Sequence, residues 1–303
     1  MAPHNNAQET PRRAPRLAPP PDKITQGHLD GDAKLFHRLA RLRHGERADA
    51  SDLYYFAHDL LYTDEIQDSL LAHVLPFCLE AWRDDLHGQS GYGGFVEYFY
   101  TLLANKQIFE RHLRPAHTAV VSEFMRGSIL DEIDEQQGLE YVGKSARAYR
   151  WFEALTTYGV LLPDLDRLWT AWWSLESVGR AIALVQYLSC LMYGDNENPV
   201  FSPWTRDKGG GPPCLWQFSG FLYENRWLQP NVRFLRRVLN PGGLNDRLDQ
   251  AVNRLINQPE HKMAAEIRND LPLCAEVLAA RCAELPTLLE TIQQPGELLV
   301  WSK

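Results

Sequence analysis

Apolar side chains recur along this chain at intervals of three and four, and no convincing run alternates at two. Between Ala146 and Tyr158, the positions Ala148, Trp151, Phe152, Leu155 and Tyr158 form one stripe, as on a helix face turned toward a core. A second stripe follows Pro163 and reads Leu165, Leu168, Trp172, Leu175, Val178, Ile182, Val185, Leu188 and Met192. Pro163 suits a first helical turn. Gly179 is placed to bend or divide this long helix, and Gly194 to close it. Leu244, Leu248, Val252 and Leu255 make a third stripe, and Leu271, Cys274, Leu278, Cys282 and Leu285 a fourth.

Further helices are expected over 31–43, 51–62, 65–86, 94–112, 116–136 and 214–239, the last divided near Pro230. Pro76 is expected to kink or split its helix, because proline removes a backbone donor. The fold class that follows is all-α: a multi-helix bundle or a degenerate α-solenoid. The solenoid alternative rests on an internal echo. "LYYFAHDLL" (Leu53–Leu61) and "EYFYTLLAN" (Glu97–Asn105) place aromatic triplets 44 residues apart, within the range of two-helix repeats. The echo fails at its next step, Val142-Gly143-Lys144.

Two stretches lack this periodicity. Residues 1–23 hold six prolines among small and polar residues and are expected to be a disordered or extended tail. Residues 194–213, "GDNENPVFSPWTRDKGGGPP", are expected to be a long loop that docks on the body or links two helical subdomains within 24–303. Trp204 and Phe201 favour docking. The most apolar window, Leu168 to Met192, carries Glu176 and Arg180 four apart, so it reads as a buried core helix with a helix-surface pair and not as a membrane span.

Composition narrows the function. Nine tryptophans in 303 residues rule out a disordered chain and point to a substantial core. The net charge of −8 offers no broad basic field for nucleic acid or an anionic membrane. Within it, Arg12, Arg13, Arg16 and Lys23 against Glu9 and Asp22 give the tail +2 and leave −10 for the remainder. The five cysteines are scattered, with no C-x-x-C, which suits a reducing cytoplasm and neither a disulfide framework nor a zinc site.

The glycine-rich stretch "HGQSGYGGFVEYFY" (His87–Tyr100) has neither the lysine and hydroxyl of a phosphate-cradling loop nor the third glycine of a dinucleotide fingerprint. Gly88 is expected to end one helix, and Gly91 to Gly94 to turn the chain into the next. "DEIDEQQ" from Asp131 lacks the spacing of a calcium loop and is expected to be a solvated face. Asp84-x-x-His87 is expected to cap a helix end, and "HLRPAH" (His112–His117) to be a solvated helix junction with an anion site as the alternative.

The one constellation with catalytic character is His58-Asp59. Adjacent His and Asp on a helix can converge on one divalent ion that activates water against a phosphoester. In this pair the chain resembles the HD phosphohydrolase superfamily, all-α metalloenzymes with an early His, a His-Asp pair and a later Asp. The resemblance implies His37 or His28 as the early ligand and Asp131 or Asp134 as the late one, beside His58 and Asp59. Leu60-Leu61 stand where that family often has glycine.

Trp169, Trp172 and Trp173 span too broad an arc of one helix to share a single stripe, so core packing and an aromatic contact face are both open to them. The leading expectation is a non-enzymatic, cytoplasmic helical protein that needs no cofactor and binds another protein through Trp172 or Trp173 and Trp204, without nucleic acid or membrane. The alternatives are the metal-dependent phosphohydrolase and a small-molecule pocket lined by the tryptophans.

Overall fold

The computed structural model describes residues 12–28, 34–89, 94–139, 147–193, 198–200 and 227–290. Among them stand thirteen helices and no strand. They are α1 (Leu35–Arg41), α2 (Ala50–Tyr62), α3 (Asp68–Leu86), α4 (Phe95–Asn105), α5 (Ile108–Arg111), α6 (Pro115–Asp134) and α7 (Arg147–Leu161). The chain continues with α8 (Leu165–Trp173), α9 (Val178–Met192), α10 (Gln229–Val238), α11 (Pro241–Arg254), α12 (His261–Asp270) and α13 (Ala275–Glu290). Local chemistry sets several starts. Asp49 caps α2 by accepting from the amides of Ser51 (2.8 Å) and Asp52 (3.3 Å). Asn240 caps α11 by accepting from Gly243 (2.8 Å), with Pro241 at the position where a missing amide costs nothing.

The stripes are the core. Ala148, Trp151, Phe152, Leu155 and Tyr158 are all buried on α7, and so are Leu244, Leu248 and Leu255 of the third stripe. The predicted helix over 94–112 is two, because Gln107 takes a left-handed conformation (φ 53°) between α4 and α5. Pro76 does not split α3, which runs unbroken across it. Of the predicted 214–239 helix, α10 is described, with Pro230 in its first turn; 214–226 lies outside the described residues.

The long second stripe breaks elsewhere than expected. Leu175, at φ 54°, ends the α8 segment, and Ser177 caps α9 by accepting from the Arg180 amide at 3.1 Å. Gly179 has a different task. A β-carbon there would lie 2.3 Å from the Asp134 carbonyl oxygen and 2.4 Å from that of Ile133, so the start of α9 touches the end of α6 backbone to backbone. Carbonyls in a helix end cannot swing aside as a flexible side chain can. Gly179→Ala is therefore expected to cost about 1–3 kcal/mol, the range for forced overpacking, read as a lower urea midpoint with native helicity retained.

Helix α9 is the hub. Thirteen of its residues are buried, from Gly179 to Met192 with one gap at Arg180, and it packs against α6, α8, α11, α12 and α13. A solenoid repeat touches only its neighbours in sequence, so the arrangement is a bundle. The two echo helices, α2 and α4, do pack on each other more extensively than any other described pair. No described helix is long and apolar enough to cross a membrane.

Of the N-terminal segment, expected to be disordered or extended, residues 12–28 are described. Residues 12–28 form neither helix nor strand, yet Ala14 and Leu17 are buried in the core. The Ala14 amide donates to Glu80 of α3 (3.3 Å), and Arg12 pairs with Asp131 of α6 (3.3 Å). Prolines fix an extended backbone that apolar side chains then pin to α3. The tail's first eleven residues lie outside the described residues, as does the 194–213 loop except for 198–200. There Asn198 and Val200 are buried, with the Asn198 amide donating to Ser189 of α9 at 3.1 Å.

Candidate functional site

Helix α2 reads ASDLYYFAHDLLY, and its stripe Leu53, Phe56, Ala57, Leu60 and Leu61 is buried. Helical spacing then carries Tyr54, His58 and Tyr62, four apart, along a neighbouring face, with Tyr55 beside them. On α4 the buried set is Phe95, Phe99, Tyr100, Thr101, Leu102 and Leu103, and Tyr98 turns toward the same place as the α2 tyrosines. Gly94, left-handed at φ 79°, starts α4 directly beside the Tyr54 ring.

The rings meet in one continuous patch. Tyr54 and Tyr98 pack edge to face with centroids 4.9 Å apart, and Tyr54 meets Tyr55 at 5.3 Å. His58 lies 4.9 Å from Tyr62, 5.4 Å from Tyr98, and stacks on Tyr54 at 6.2 Å. Tyr55 is 41% and Tyr62 50% exposed, the two most exposed aromatic side chains among the described residues. Hydrogen bonding to Tyr54, then burial, pushes the Tyr98 phenol up to about 12, so its hydroxyl stays neutral at any ordinary pH.

The same geometry bears on the His-Asp pair. His58 Nδ1 lies 3.5 Å from Asp59 Oδ1, but the imidazole is wedged among three tyrosines and Asp59 is fully buried. The implied partners are elsewhere: His37 and His28 are exposed, Asp131 pairs with Arg12, and Asp134 with Arg180. His37, His58, Asp59 and Asp131 are therefore not brought together into a metal-binding set among the described residues.

One group with the chemistry of metal ligands does converge: His87, Glu132 and Glu135. The acid run expected to be a solvated face thus turns Glu132 wholly inward. His87, at the C-terminal cap of α3, sets its Nδ1 3.0 Å from Glu132 Oε2. From α7, Arg150 reaches Glu132 at 3.5 Å, and Arg147 reaches it at 3.6 Å and Glu135 at 2.8 Å. Two guanidiniums already balance the two carboxylates, and their charge opposes a divalent cation. The cluster works as a polar clamp joining the ends of α3 and α6 to the start of α7. The HLRPAH junction is likewise satisfied internally, with His112 on Asp68 (2.7 Å) and Arg114 against His117 (2.8 Å).

The tryptophans resolve into the core. Trp172 is fully buried, and Trp173 is nearly so. Trp172 packs at 5.2 Å from both Trp151 of α7 and Trp169, and at 5.5 Å from Tyr187 of α9. Its indole N–H donates to the Arg180 carbonyl at 3.2 Å. This corrects the contact face expected of Trp172 and Trp173, because rings that fill each other's space present none outward. Trp204 lies outside the described residues. In sequence the signal of the tyrosine patch is the spacing 54, 58, 62 beside the apolar stripe, on the face that also carries His58.

No family model, no curated protein and no solved structure matches this chain.

Proposed function

We propose that this chain is a non-enzymatic helical protein that binds another protein through the tyrosine-histidine patch of α2 and α4. The observation that carries the reading is the pair of half-exposed rings, Tyr55 and Tyr62, backed by Tyr54, His58 and Tyr98. Tyrosine brings a large apolar face at low conformational cost and a hydroxyl at its tip, which is why it recurs as an interface anchor. Rings already in contact with their neighbours are held in place before a partner arrives, and that lowers the ordering cost of binding. The rings touch one another and enclose no cage, so the patch suits a protein surface better than a small cation. A cytoplasmic setting agrees with the free thiols of Cys78, Cys190, Cys274 and Cys282.

The test is photo-crosslinking in cells where the chain is native. A benzophenone side chain at position 55 is expected to yield one discrete protein adduct. The same probe at Leu273, 85% exposed on another part of the body, is expected to yield none. Tyr62→Ala should reduce the adduct roughly tenfold or more, as loss of an interface anchor does. Equal labelling from both positions, or an adduct indifferent to Tyr62, would refute the patch.

A further inference from the structure

A second region carries chemistry that the tyrosine patch does not use. Where the extended N-terminal segment crosses the end of α1 and the middle of α3, it closes one wall of a cavity of about 480 Å³. The polar lining is Arg16 from that segment, Arg41, Arg43 and His44 from α1 and the turn after it, and His73 from α3. Among the described residues no carboxylate lines it. In a chain of net charge −8, such a concentration of cationic groups is a local exception. Arg16, Arg41 and Arg43 form no ion pair among the described residues. The neighbouring acid, Glu46, is engaged by the Arg43 backbone amide at 2.8 Å.

His73 sits at the floor. It is 6% exposed, packs against Phe77 at 5.8 Å, and its Nε2 has no hydrogen-bond partner among the described residues. Burial lowers its pKa, against the pull of the Ala18 and Leu39 backbone carbonyls, so at neutral pH the ring is uncharged and one nitrogen can donate. A buried polar atom without a partner is costly, and one lining a cavity is satisfied when a ligand arrives. The rest of the lining is apolar, from Ala18, Leu42, Pro76 and Phe77 among others.

We infer that this cavity binds a soluble phosphorylated organic molecule, with the phosphoryl group held by Arg16, Arg41, Arg43 and His73 and an apolar body laid against Pro76 and Phe77. Three guanidiniums match the two negative charges and several acceptor oxygens of a phosphate ester in a way that a single carboxylate does not. The volume lies in the range of small-molecule sites. The site is independent of the proposed protein interface, which lies on α2 and α4.

Calorimetric titration of the full chain at low salt tests this, with inorganic phosphate, AMP and vesicles containing phosphatidic acid as probes. AMP is expected to bind at one saturable site and more tightly than phosphate, since only AMP covers the apolar wall. Combined Arg41→Gln and Arg43→Gln should weaken AMP about tenfold or more, the loss expected for charge-assisted hydrogen bonds. Both arginines are exposed, so these variants should melt as the parent does. His73→Gln, checked for an unchanged helical spectrum, should weaken AMP as well. Arg233→Gln, exposed on α10, should change nothing. Absence of saturable AMP binding, equal loss in the Arg233 variant, or binding to vesicles alone would overturn the inference.

Discussion

Trp172→Ala is expected to destabilise the protein by about 3–5 kcal/mol, the cost of emptying a large aromatic site in a core. The ring is fully buried and sits among Trp151, Trp169, Trp173 and Tyr187, so three helices lose packing at once. The same change frees the Arg180 carbonyl, which now accepts the indole N–H. Set against a total stability on the order of 5–15 kcal/mol, a loss of this size leaves a visibly unfolded fraction. Urea denaturation followed at 222 nm measures it, and Trp172→Phe should recover much of the loss. A shift below about 1 kcal/mol in the alanine variant would return Trp172 to the surface role expected from sequence.

The second large effect is expected at Arg180. Its guanidinium donates through Nε to Asp134 Oδ1 (2.7 Å) and through a terminal nitrogen to Oδ2 (2.9 Å), a two-point grip on the end of α6. The other terminal nitrogen donates to the Ala171 carbonyl (2.8 Å), Ser174 Oγ (2.9 Å) and Glu176 (3.1 Å). One side chain thus satisfies a carbonyl in the last turn of α8, the junction, and a carboxylate of α6. Arg180→Ala is expected to cost about 3 kcal/mol or more, because it leaves Asp134 partly buried beside groups arranged for a cation. Arg180→Lys should rescue little, since a point charge cannot reproduce the planar fork. Glu176→Ala should cost under about 0.5 kcal/mol, its carboxylate being mostly in solvent. Thermal melts of the three variants rank these expectations. A large loss at Glu176 would show that the pair four apart in sequence, and not the contact with α6, does the holding.

What could be read from the sequence was periodic. The α7 and α11 stripes are buried where expected, and α2, α3 and α6 begin and end within a few residues of their predicted bounds. The breaks were less legible. Gly179 is expected to bend or divide the long second-stripe helix, whereas its missing side chain answers to carbonyls on α6, a contact that no local pattern records. The true break takes a left-handed leucine, which propensity would not nominate. Site chemistry was legible least of all. Glu132 lies in a run of acids that looks solvated, and only the approach of α3 and α7 turns it inward onto His87 and Arg150. The cavity at His73 needs a proline-rich segment to lie against α3, and composition records no such contact.

The central place of α9 also constrains how the chain is made. Its buried face is completed by α11, α12 and α13, and the last of these begins at Ala275, some eighty residues after α9 ends. At a ribosomal pace of roughly 5–20 residues per second, that face waits on the order of 4–17 s for its cover. A nascent chain in that interval presents the side of α9 that these helices later cover, the kind of surface that holdase chaperones recognise and that aggregates when crowded. The helix that organises the finished bundle is therefore left incompletely covered during synthesis.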